Sequence, residues 1–403
     1  EENENIVAID ADLARANGTL PLRDRFPGRA IDVGIAEQNM IGIAAGLSSY
    51  GFIPFVGSFA VFASRRAADQ IMLSGCYAHS NIKIVGSDPG IAAELNGGTH
   101  MAFEDIGVLR SFPELVIFEA ADGVQLRQAV RQIAEYQGPV YIRLFRKEWP
   151  DVFPQDYVFD LFRADTLSSG TDVTIAATGI MLKEAMDAAA LLLKEGISAE
   201  VLNIHTIKPI DQKTLLASAK KTGCVVTAEN HNLIGGLYSA VTETLAPCLP
   251  VPVLGVGVHD RFGQVGKFAD LREEYGLTAE KIISKVKEAL ALKQKGEKII
   301  LGSDKSGFYL KEAVKDYLNA NGYDVIETGT VTPEKGIPFY EVAPQACSCI
   351  QKGNADLGIL ICGTGMGMSQ VANKFKGIRA ACVESIYGAR MARVINNSNI
   401  LCM

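Results

Sequence analysis

Short apolar runs rich in β-branched residues alternate along the whole chain with longer segments of helical periodicity. Within the first 150 residues four such runs predict strands, and the segment Val124 to Tyr136 predicts a helix between the last two. This alternation is typical of βαβ units in a parallel sheet. The four predicted strands are Ile6–Ile9, Ile82–Val85, Leu115–Phe118 and Val140–Arg143.

The same alternation starts again at about Ser168 and after the polar stretch Leu292 to Glu297, which is typical of an interdomain linker. We therefore predict an α/β protein of three doubly wound, mostly parallel-sheet domains, over residues 1–165, 166–295 and 296–403. The later predicted elements are strands Val173–Ala176, Ala199–Leu202, Val225–Ala228, Lys298–Leu301, Asp324–Glu327, Leu357–Ile361 and Asn399–Met403, and helices Leu182–Glu195, Tyr309–Asn321 and Ser369–Lys374.

Composition narrows the class of ligand. No apolar run reaches the roughly 18 residues of a membrane span, and a net charge of −7 argues against a general nucleic-acid surface. Small molecules are therefore the expected ligands. The 8 cysteines lack metal-ligand spacing, which predicts reduced thiols in the cytoplasm and no metal site. Because the chain opens at Glu1 and stops at Met403 within a predicted strand, we expect residues to be missing at both ends.

Four segments before the linker form one recognisable pattern. Asp32 to Met40 (DVGIAEQNM) leads into a Gly- and Ala-rich segment, and the aromatic run Pro54 to Phe62 follows. The runs NIHTIKPID at 203–211 and ENHNLIGG at 229–236 come later. With these segments residues 1–295 resemble the C-terminal half of transketolases. The resemblance implies transfer of a two-carbon ketol unit between sugars with thiamine diphosphate.

The resemblance also implies roles for single residues. Glu37 matches the glutamate that hydrogen-bonds the aminopyrimidine ring of the cofactor, where a carboxylate favours the activating tautomer. Phe59 and Phe62 match aromatics that pack on that ring, and Leu13 is a further cofactor-binding candidate. His100 matches a histidine that contacts sugar hydroxyls. Outside such a motif a helical glutamate is usually on a solvated face.

Three departures from the family pattern concern substrate recognition. The phosphate-binding histidine of the family is Asp88 here, the aspartate that senses the 2-hydroxyl is Asn96, and a serine that assists with phosphate is Ala16. Arg146 remains where the family keeps an arginine for the terminal phosphate. A poorly solvated carboxylate would repel a dianion. We therefore expect Arg146 and Asn96 to bind a donor whose tail is not a phosphate.

No segment resembles the Gly-Asp-Gly…Asn pattern with which the N-terminal half of the family binds Mg²⁺ and the cofactor diphosphate. The resemblance therefore implies a separate partner subunit that carries this half and most of the Mg²⁺ site. The expected assembly is a hetero-oligomer with active sites between chains, and homodimerisation is also expected.

A second pattern lies after the linker. The run Ile361 to Met368 (ICGTGMGM) follows a predicted strand and leads into a predicted helix, so Cys362 falls in a Gly-rich turn where a thiolate is favoured. With LGSDKSGF at 301–308 and ANKFKGIR at 372–379, residues 298–403 resemble type B ribose-5-phosphate isomerases and galactose-6-phosphate isomerase subunits. The two Gly-rich turns both follow strands, and we expect them to share one crevice.

That family moves a proton between C1 and C2 of a sugar with a cysteine base, a role that falls on Cys362. The resemblance implies that Thr364 and the backbone of Gly363 and Gly365 stabilise the enediolate oxygens. Asp304 matches an aspartate that binds a substrate hydroxyl.

The isomerase-like block contains no histidine. One histidine of the family is replaced by Lys305, and the histidine credited with opening a furanose is Ile395, next to the substrate-binding candidate Asn396. An isoleucine cannot carry the ring-oxygen proton, so either the block is inactive or its substrate is acyclic. A four-carbon aldose with an anionic tail cannot close a furanose, and Lys305 would meet that tail.

Three functions stay open. The first belongs to sulfoglycolysis: two carbons leave 6-deoxy-6-sulfofructose, and the remaining 4-deoxy-4-sulfoerythrose is isomerised to sulfoerythrulose, which re-enters the transketolase. The second is a pentose-phosphate transketolase subunit fused to ribose-5-phosphate isomerase. The third is a non-catalytic isomerase-like scaffold on a transketolase subunit. After Met403 we expect the C-terminal helix of the isomerase family, with its anion-binding arginines.

Overall fold

The computed structural model describes residues 3–293 and 298–403, and these two ranges belong to separate compact units. Most of the predicted linker at 292–297 lies outside the described residues. The strands are, in chain order, β1 (Ile6–Asp10), β2 (Ala30–Asp32), β3 (Ile53–Phe59), β4 (Lys83–Ser87), β5 (Val116–Glu119), β6 (Val140–Leu144), β7 (Asp165–Ser168), β8 (Val173–Ala177), β9 (Ala199–Asn203), β10 (Thr206–Lys208), β11 (Val225–Asn232), β12 (Val253–Val258), β13 (Lys298–Ser303), β14 (Asp324–Gly329), β15 (Leu357–Ile361), β16 (Ala380–Cys382) and β17 (Ile400–Cys402).

Helices cover the strands of each sheet and supply the other half of each core. The α-helices are α1 (Ala14–Asn17), α2 (Leu20–Arg25), α3 (Glu37–Ser49), α4 (Ala68–Gln70), α5 (Asp105–Arg110), α6 (Gly123–Glu135), α7 (Met181–Lys194), α8 (Gln212–Thr222), α9 (Leu237–Leu245), α10 (Phe268–Glu274), α11 (Ala279–Lys293), α12 (Phe308–Ala320), α13 (Phe339–Gln351), α14 (Met366–Ala372) and α15 (Ile386–Val394).

Helix α6 shows how local sequence sets these elements. Asp122 caps its first turn, because the carboxylate accepts a hydrogen bond from the Gln125 amide at 2.8 Å. Val124, Ala129 and Ile133 then recur at helical spacing and are buried. All predicted strands and helices named above overlap an element of the structure, and the predicted fold of three mostly parallel α/β sheets is confirmed.

The first unit contains two sheets. Seven strands follow the order β10-β5-β6-β4-β3-β1-β2, and five follow the order β12-β11-β8-β9-β7. The pairs β10–β5 and β7–β9 are antiparallel, and the other pairs are parallel. Strand β10 comes from the second half of this unit, yet it extends the first sheet, so the two halves share a continuous hydrogen-bonded edge.

A fully buried arginine also joins the two halves of this unit. Arg143, on β6, bonds through Nε to Asp105 Oδ2 at 2.9 Å and through Nη1 to Glu119 Oε1 at 2.7 Å. Its Nη2 donates to the carbonyl of Asn230 on β11 at 2.8 Å. Burial raises the pKa of Glu119, whereas at Asp105 burial is outweighed by the charges of Arg143 and His231, which lower the pKa.

We expect Arg143→Leu to lower the free energy of unfolding of the first unit by about 3–5 kcal/mol, because it leaves Asp105 and Glu119 buried without their cation. Chemical denaturation followed by circular dichroism measures this. Arg261→Leu, which removes the same charge from an exposed pair with Glu274, should change stability far less. Equal effects of the two substitutions would contradict the role given to Arg143.

The second unit is a single parallel sheet with the order β14-β13-β15-β17-β16. The chain passes from β13 to β14 on one side and then returns to β15 on the other side of β13. The carboxyl ends of β13 and β15 therefore flank the topological switch point, where doubly wound sheets bind ligands. Val342, Leu360 and Met368 are fully buried in the core beneath it.

Candidate functional site

Three predicted site residues of the first unit form an aromatic cluster. Phe59 ends β3, and Phe62 begins a short π-helical segment, Phe62–Arg66. The ring of His100 lies 5.8 Å from that of Phe59 and 5.2 Å from that of Phe62, and the two phenyl rings are 6.3 Å apart. All three pairs meet edge to face, the geometry that aromatic quadrupoles favour. The structure therefore brings these three residues together from two distant segments.

Glu37 is connected to this cluster by an arginine. It is the first residue of α3, where a helix favours negative charge, and it is 2% exposed. Its carboxylate accepts hydrogen bonds from Arg66 Nη1 at 2.9 Å and from Ser58 Oγ at 3.2 Å. The Arg66 guanidinium also lies 4.1 Å from the centre of the Phe62 ring. Neither Arg66 nor Ser58 is among the predicted site residues. The sequence signal available for Arg66 is its position four residues after Phe62, which is helical spacing.

Arg146 and Asp88, which the sequence associates with the substrate tail, form an ion pair. Asp88 follows β4 and Arg146 follows β6, and these strands are neighbours in the sheet. Arg146 Nε donates to Asp88 Oδ2 at 2.6 Å, and Nη1 donates to the carbonyl of Ala16 at 2.9 Å. Burial raises the pKa of Asp88, and the Arg146 charge opposes this shift. The sequence predicts a carboxylate here that would repel a dianion; the structure adds that this carboxylate is paired with Arg146.

The two remaining candidates of this unit lie outside the aromatic cluster. Leu13 is half-buried just before α1, and its carbonyl accepts the Asn17 amide at 2.8 Å. Asn96 is exposed at the end of the 3₁₀ segment Gly90–Asn96. Among the contacts of the described residues, neither side chain reaches the three rings. Their roles stay predictions.

In the second unit the two predicted Gly-rich turns lie side by side. Ser303 and Ile361 are paired in register across β13 and β15. The next residue, Asp304, donates its amide to the Ile361 carbonyl at 3.2 Å, and its carboxylate accepts the Gly307 amide at 3.0 Å. Asp304 and Cys362 therefore both stand at the switch point, and both are half-buried. The two turns are therefore neighbours, and a ligand crevice shared by them stays a prediction.

The turn after Cys362 depends on a glycine. Gly365 has a φ of 69° and immediately precedes α14, and a Cβ there would lie 2.9 Å from the backbone of Cys402. Gly363 and Thr364 are exposed at the mouth of the turn, whereas Gly365 is buried. The helix begins only at Met366, so three residues separate Cys362 from its first turn. The sequence predicts that a helix N-terminus favours the thiolate of Cys362. Because helix dipoles act mainly within the first turn, the contribution of this helix is smaller than predicted.

Cys382 is a neighbour of this turn that the sequence did not reveal. Its thiol lies 3.3 Å from the carbonyl of Thr364. Lys305 is exposed at the other turn, beside the loop of Gly336. Ile395 is 72% exposed at the end of α15, and Asn396 is exposed next to it. In the part of the chain that the structure describes, no hydrogen bond or ion pair joins Asn396 to the crevice, so its role stays a prediction.

Within residues 3–293 and 298–403, no cluster of histidine, cysteine, aspartate and glutamate could hold a metal ion. In the same ranges, no helix combines the length and the apolar character needed to cross a bilayer.

Three family models match the chain. The transketolase pyrimidine-binding domain matches residues 1–151, the transketolase C-terminal domain matches residues 163–282, and the ribose/galactose isomerase family matches residues 299–403. The two transketolase matches lie in the first unit and the isomerase match lies in the second.

Two curated relatives match the first unit over most of their own length. The 6-deoxy-6-sulfo-D-fructose transketolase subunit SqwH of Clostridium sp. (strain MSTE9) is 53% identical over 283 residues, which are 70% of this chain and 88% of the relative. An apulose-4-phosphate transketolase subunit of Phocaeicola vulgatus is 38% identical over 70% of this chain and 90% of its own length.

Two solved structures resemble the same part. A split-gene transketolase, described as an inactive β4 tetramer, is 46% identical with a TM-score of 0.66, over 72% of this chain and 94% of its own. The transketolase of Pichia stipitis in complex with sedoheptulose 7-phosphate shares the fold at 22% identity and a TM-score of 0.61, over 72% of this chain and 44% of its own. The chain therefore belongs to the transketolase family through its pyrimidine-binding and C-terminal domains, and it carries a ribose/galactose isomerase family domain after them.

Proposed function

We propose that this chain is the C-terminal subunit of a thiamine diphosphate-dependent transketolase that takes a ketol unit from 6-deoxy-6-sulfofructose and from sulfoerythrulose. Its last domain would isomerise 4-deoxy-4-sulfoerythrose to sulfoerythrulose. The observation that carries the proposal is that two separate sets of predicted residues assemble, one in each unit. The 53% identity to a relative described as a 6-deoxy-6-sulfo-D-fructose transketolase subunit supports the choice of donor.

The residues of the first unit fit the cofactor that transketolase domains imply. A pyrimidine ring can pack on aromatic side chains and pair a ring nitrogen with a carboxylate. Phe59 and Phe62 offer the first, and Glu37, joined to Phe62 through Arg66, offers the second. Leu13 is the further residue proposed to hold the cofactor. When bound, thiamine diphosphate supplies the electron sink for cleavage of the C2–C3 bond of the ketose.

The side chains of this unit then have distinct tasks. Glu37 holds a proton at a pyrimidine nitrogen, and its burial excludes water from that bond. His100, packed against both phenyl rings, hydrogen-bonds the sugar hydroxyls, and Asn96 contacts the hydroxyl next to the carbonyl. Arg146 binds the anionic tail. The separate partner subunit completes the site with its Mg²⁺ and diphosphate contacts, and relatives that are described as subunits support this division.

In the second unit Cys362 acts as the base. As the thiolate it takes the proton from C2 of the aldose and returns it to C1, while the proton of the C2 hydroxyl moves to the carbonyl oxygen at C1. C1 thereby becomes the alcohol and C2 the new carbonyl. Thr364 and the amides of Gly363 and Gly365 stabilise the negative oxygen between the two steps. Asp304, fixed by the Gly307 amide, holds a substrate hydroxyl, and Asn396 contributes from the end of α15.

The absence of a histidine at 395 suits this substrate. A tetrose whose terminal carbon bears a sulfonate has no hydroxyl there with which to close a furanose, so it needs no ring-opening acid. Lys305, exposed at the turn after β13, offers a positive charge for the sulfonate. An isomerase of cyclic pentose phosphates would need the missing acid, which disfavours the pentose-phosphate alternative.

The proposal is tested with the chain and its N-terminal-half partner subunit, supplied with thiamine diphosphate, Mg²⁺, 6-deoxy-6-sulfofructose and glyceraldehyde 3-phosphate. We expect formation of xylulose 5-phosphate, measured by an enzyme-coupled assay. Absence of this product under conditions in which the same pair consumes fructose 6-phosphate would contradict the sulfonated donor.

A further inference from the structure

The contacts of Arg146 limit what this arginine can offer to a ligand. Its Nε is bonded to Asp88 at 2.6 Å, and its Nη1 is bonded to the carbonyl of Ala16 at 2.9 Å. Only Nη2 takes no part in these two bonds. The guanidinium lies 5.5 Å from the Phe59 ring, so this partly engaged cation adjoins the aromatic cluster.

The surrounding charges are paired as well. Arg146 and Lys147 line a cleft of about 650 Å³ at the carboxyl edge of the first sheet. Lys147 Nζ lies 2.5 Å from Glu94 Oε2, so it too has an anionic partner. The two ion pairs together carry no net charge. The lining also contains one further cation, Arg15, and three carboxylates, Asp122, Glu148 and Asp151, so the cleft has no excess of positive charge. A cleft of this kind balances one negative charge better than two.

Asp88 occupies its place at an energetic cost. It is 1% exposed, and among the described residues its Oδ1 has no hydrogen-bond partner. Its φ is 50°, in the left-handed region, which aspartate adopts more readily than most residues other than glycine but which is still uncommon. Costs of this kind are typical of positions that serve function.

We propose that Asp88 determines which anionic tail the transketolase site accepts. By engaging Arg146 it favours the singly charged sulfonate of 6-deoxy-6-sulfofructose over the phosphate at the same carbon of fructose 6-phosphate, which carries nearly two charges near pH 7. This inference deepens the proposed function and rests on it. Asp88 acts as a specificity-determining residue, and Arg146 remains the group that touches the tail.

The test compares donors within one assembled enzyme. We expect Asp88→Asn, which removes the charge and keeps the shape, to raise the ratio of kcat/KM for fructose 6-phosphate to that for 6-deoxy-6-sulfofructose by roughly tenfold or more, mainly through KM. Asp187→Asn, at an exposed i,i+4 pair with Lys183, serves as the control and should leave the ratio unchanged. A variant in which both donors weaken by the same factor would overturn the proposal, since a purely structural role predicts that result.

A neutral ketose donor, erythrulose, distinguishes failure of the proposed function from failure of the role given to Asp88. If the wild-type pair transfers a ketol unit from neither erythrulose nor a charged ketose, the proposed function itself fails. If transfer occurs and the Asp88→Asn ratio stays fixed, only the role of Asp88 fails.

A second measurement needs no variant. With erythrulose as donor, we expect ethanesulfonate to inhibit the wild-type pair more strongly than ethyl phosphate at neutral pH. The difference should shrink below about pH 6, where the phosphate becomes a monoanion. Stronger inhibition by ethyl phosphate at neutral pH would overturn the proposal. Because this measurement uses the wild-type pair, it does not depend on whether Asp88→Asn folds.

Discussion

Glu37→Ala is expected to lower ketol transfer by about a hundredfold or more, while isomerisation by the same chain stays unchanged. The reason is that Glu37 is the buried carboxylate of the aromatic cluster, held by Ser58 and Arg66, and proton transfer by a positioned group typically contributes factors of this size. Transfer is measured as xylulose 5-phosphate formed by the chain with its partner subunit.

Two further variants make this result specific. Glu37→Gln keeps the volume and one acceptor for Ser58 or Arg66, so a loss of activity equal to that of Glu37→Ala assigns the effect to the ionisable carboxyl rather than to packing. Glu135→Ala, at the exposed end of α6, is the control and should retain transfer. Full transfer by Glu37→Ala would remove this residue from the mechanism.

Cys362→Ala is expected to lower isomerisation of 4-deoxy-4-sulfoerythrose by about a hundredfold or more, with ketol transfer intact. The thiol stands at the switch point of the second sheet beside Asp304, and no histidine exists in this domain to replace it as the base. Conversion of aldose to ketose is followed by NMR in D₂O, which also reports exchange of the transferred proton.

The neighbouring thiol offers a matched control. Cys382→Ala removes a cysteine that contacts the carbonyl of Thr364 but lies on β16, and it should keep most of the isomerase activity. If Cys362→Ala is as active as Cys382→Ala, the last domain acts as a scaffold or uses another base. If only Cys362→Ala is inactive while the assembly with the partner subunit persists, mere scaffolding is ruled out.

The elements of the fold were predictable because their signals are local. The strand Val173–Ala177 and the helix Met181–Lys194 follow from apolar runs and helical periodicity within a few residues. The three-residue strand β10 is too short to show a period, and its antiparallel pairing to β5 depends on residues about ninety positions away. Its addition to the first sheet could therefore be seen only in the structure.

The residues of the site were predictable only where they belong to a recognisable sequence motif. Resemblance pointed to Glu37, Phe59, Phe62 and His100, and the structure brings the last three rings into contact. The partners of the charged groups were not predictable, because ion pairs leave no periodic signal in a sequence. Asp88 and Arg146 are 58 residues apart, and only the structure shows that the carboxylate pairs with the arginine expected to bind the substrate tail.

The most direct test of the central claim, that one chain performs two successive steps on a sulfonated sugar, is a count of product. The wild-type chain and its partner subunit receive limiting 6-deoxy-6-sulfofructose and excess glyceraldehyde 3-phosphate. If sulfoerythrose is isomerised and re-enters as a donor, two molecules of xylulose 5-phosphate form for each sulfofructose, and Cys362→Ala yields one. A wild-type yield of one, with sulfoerythrose accumulating, would contradict the account.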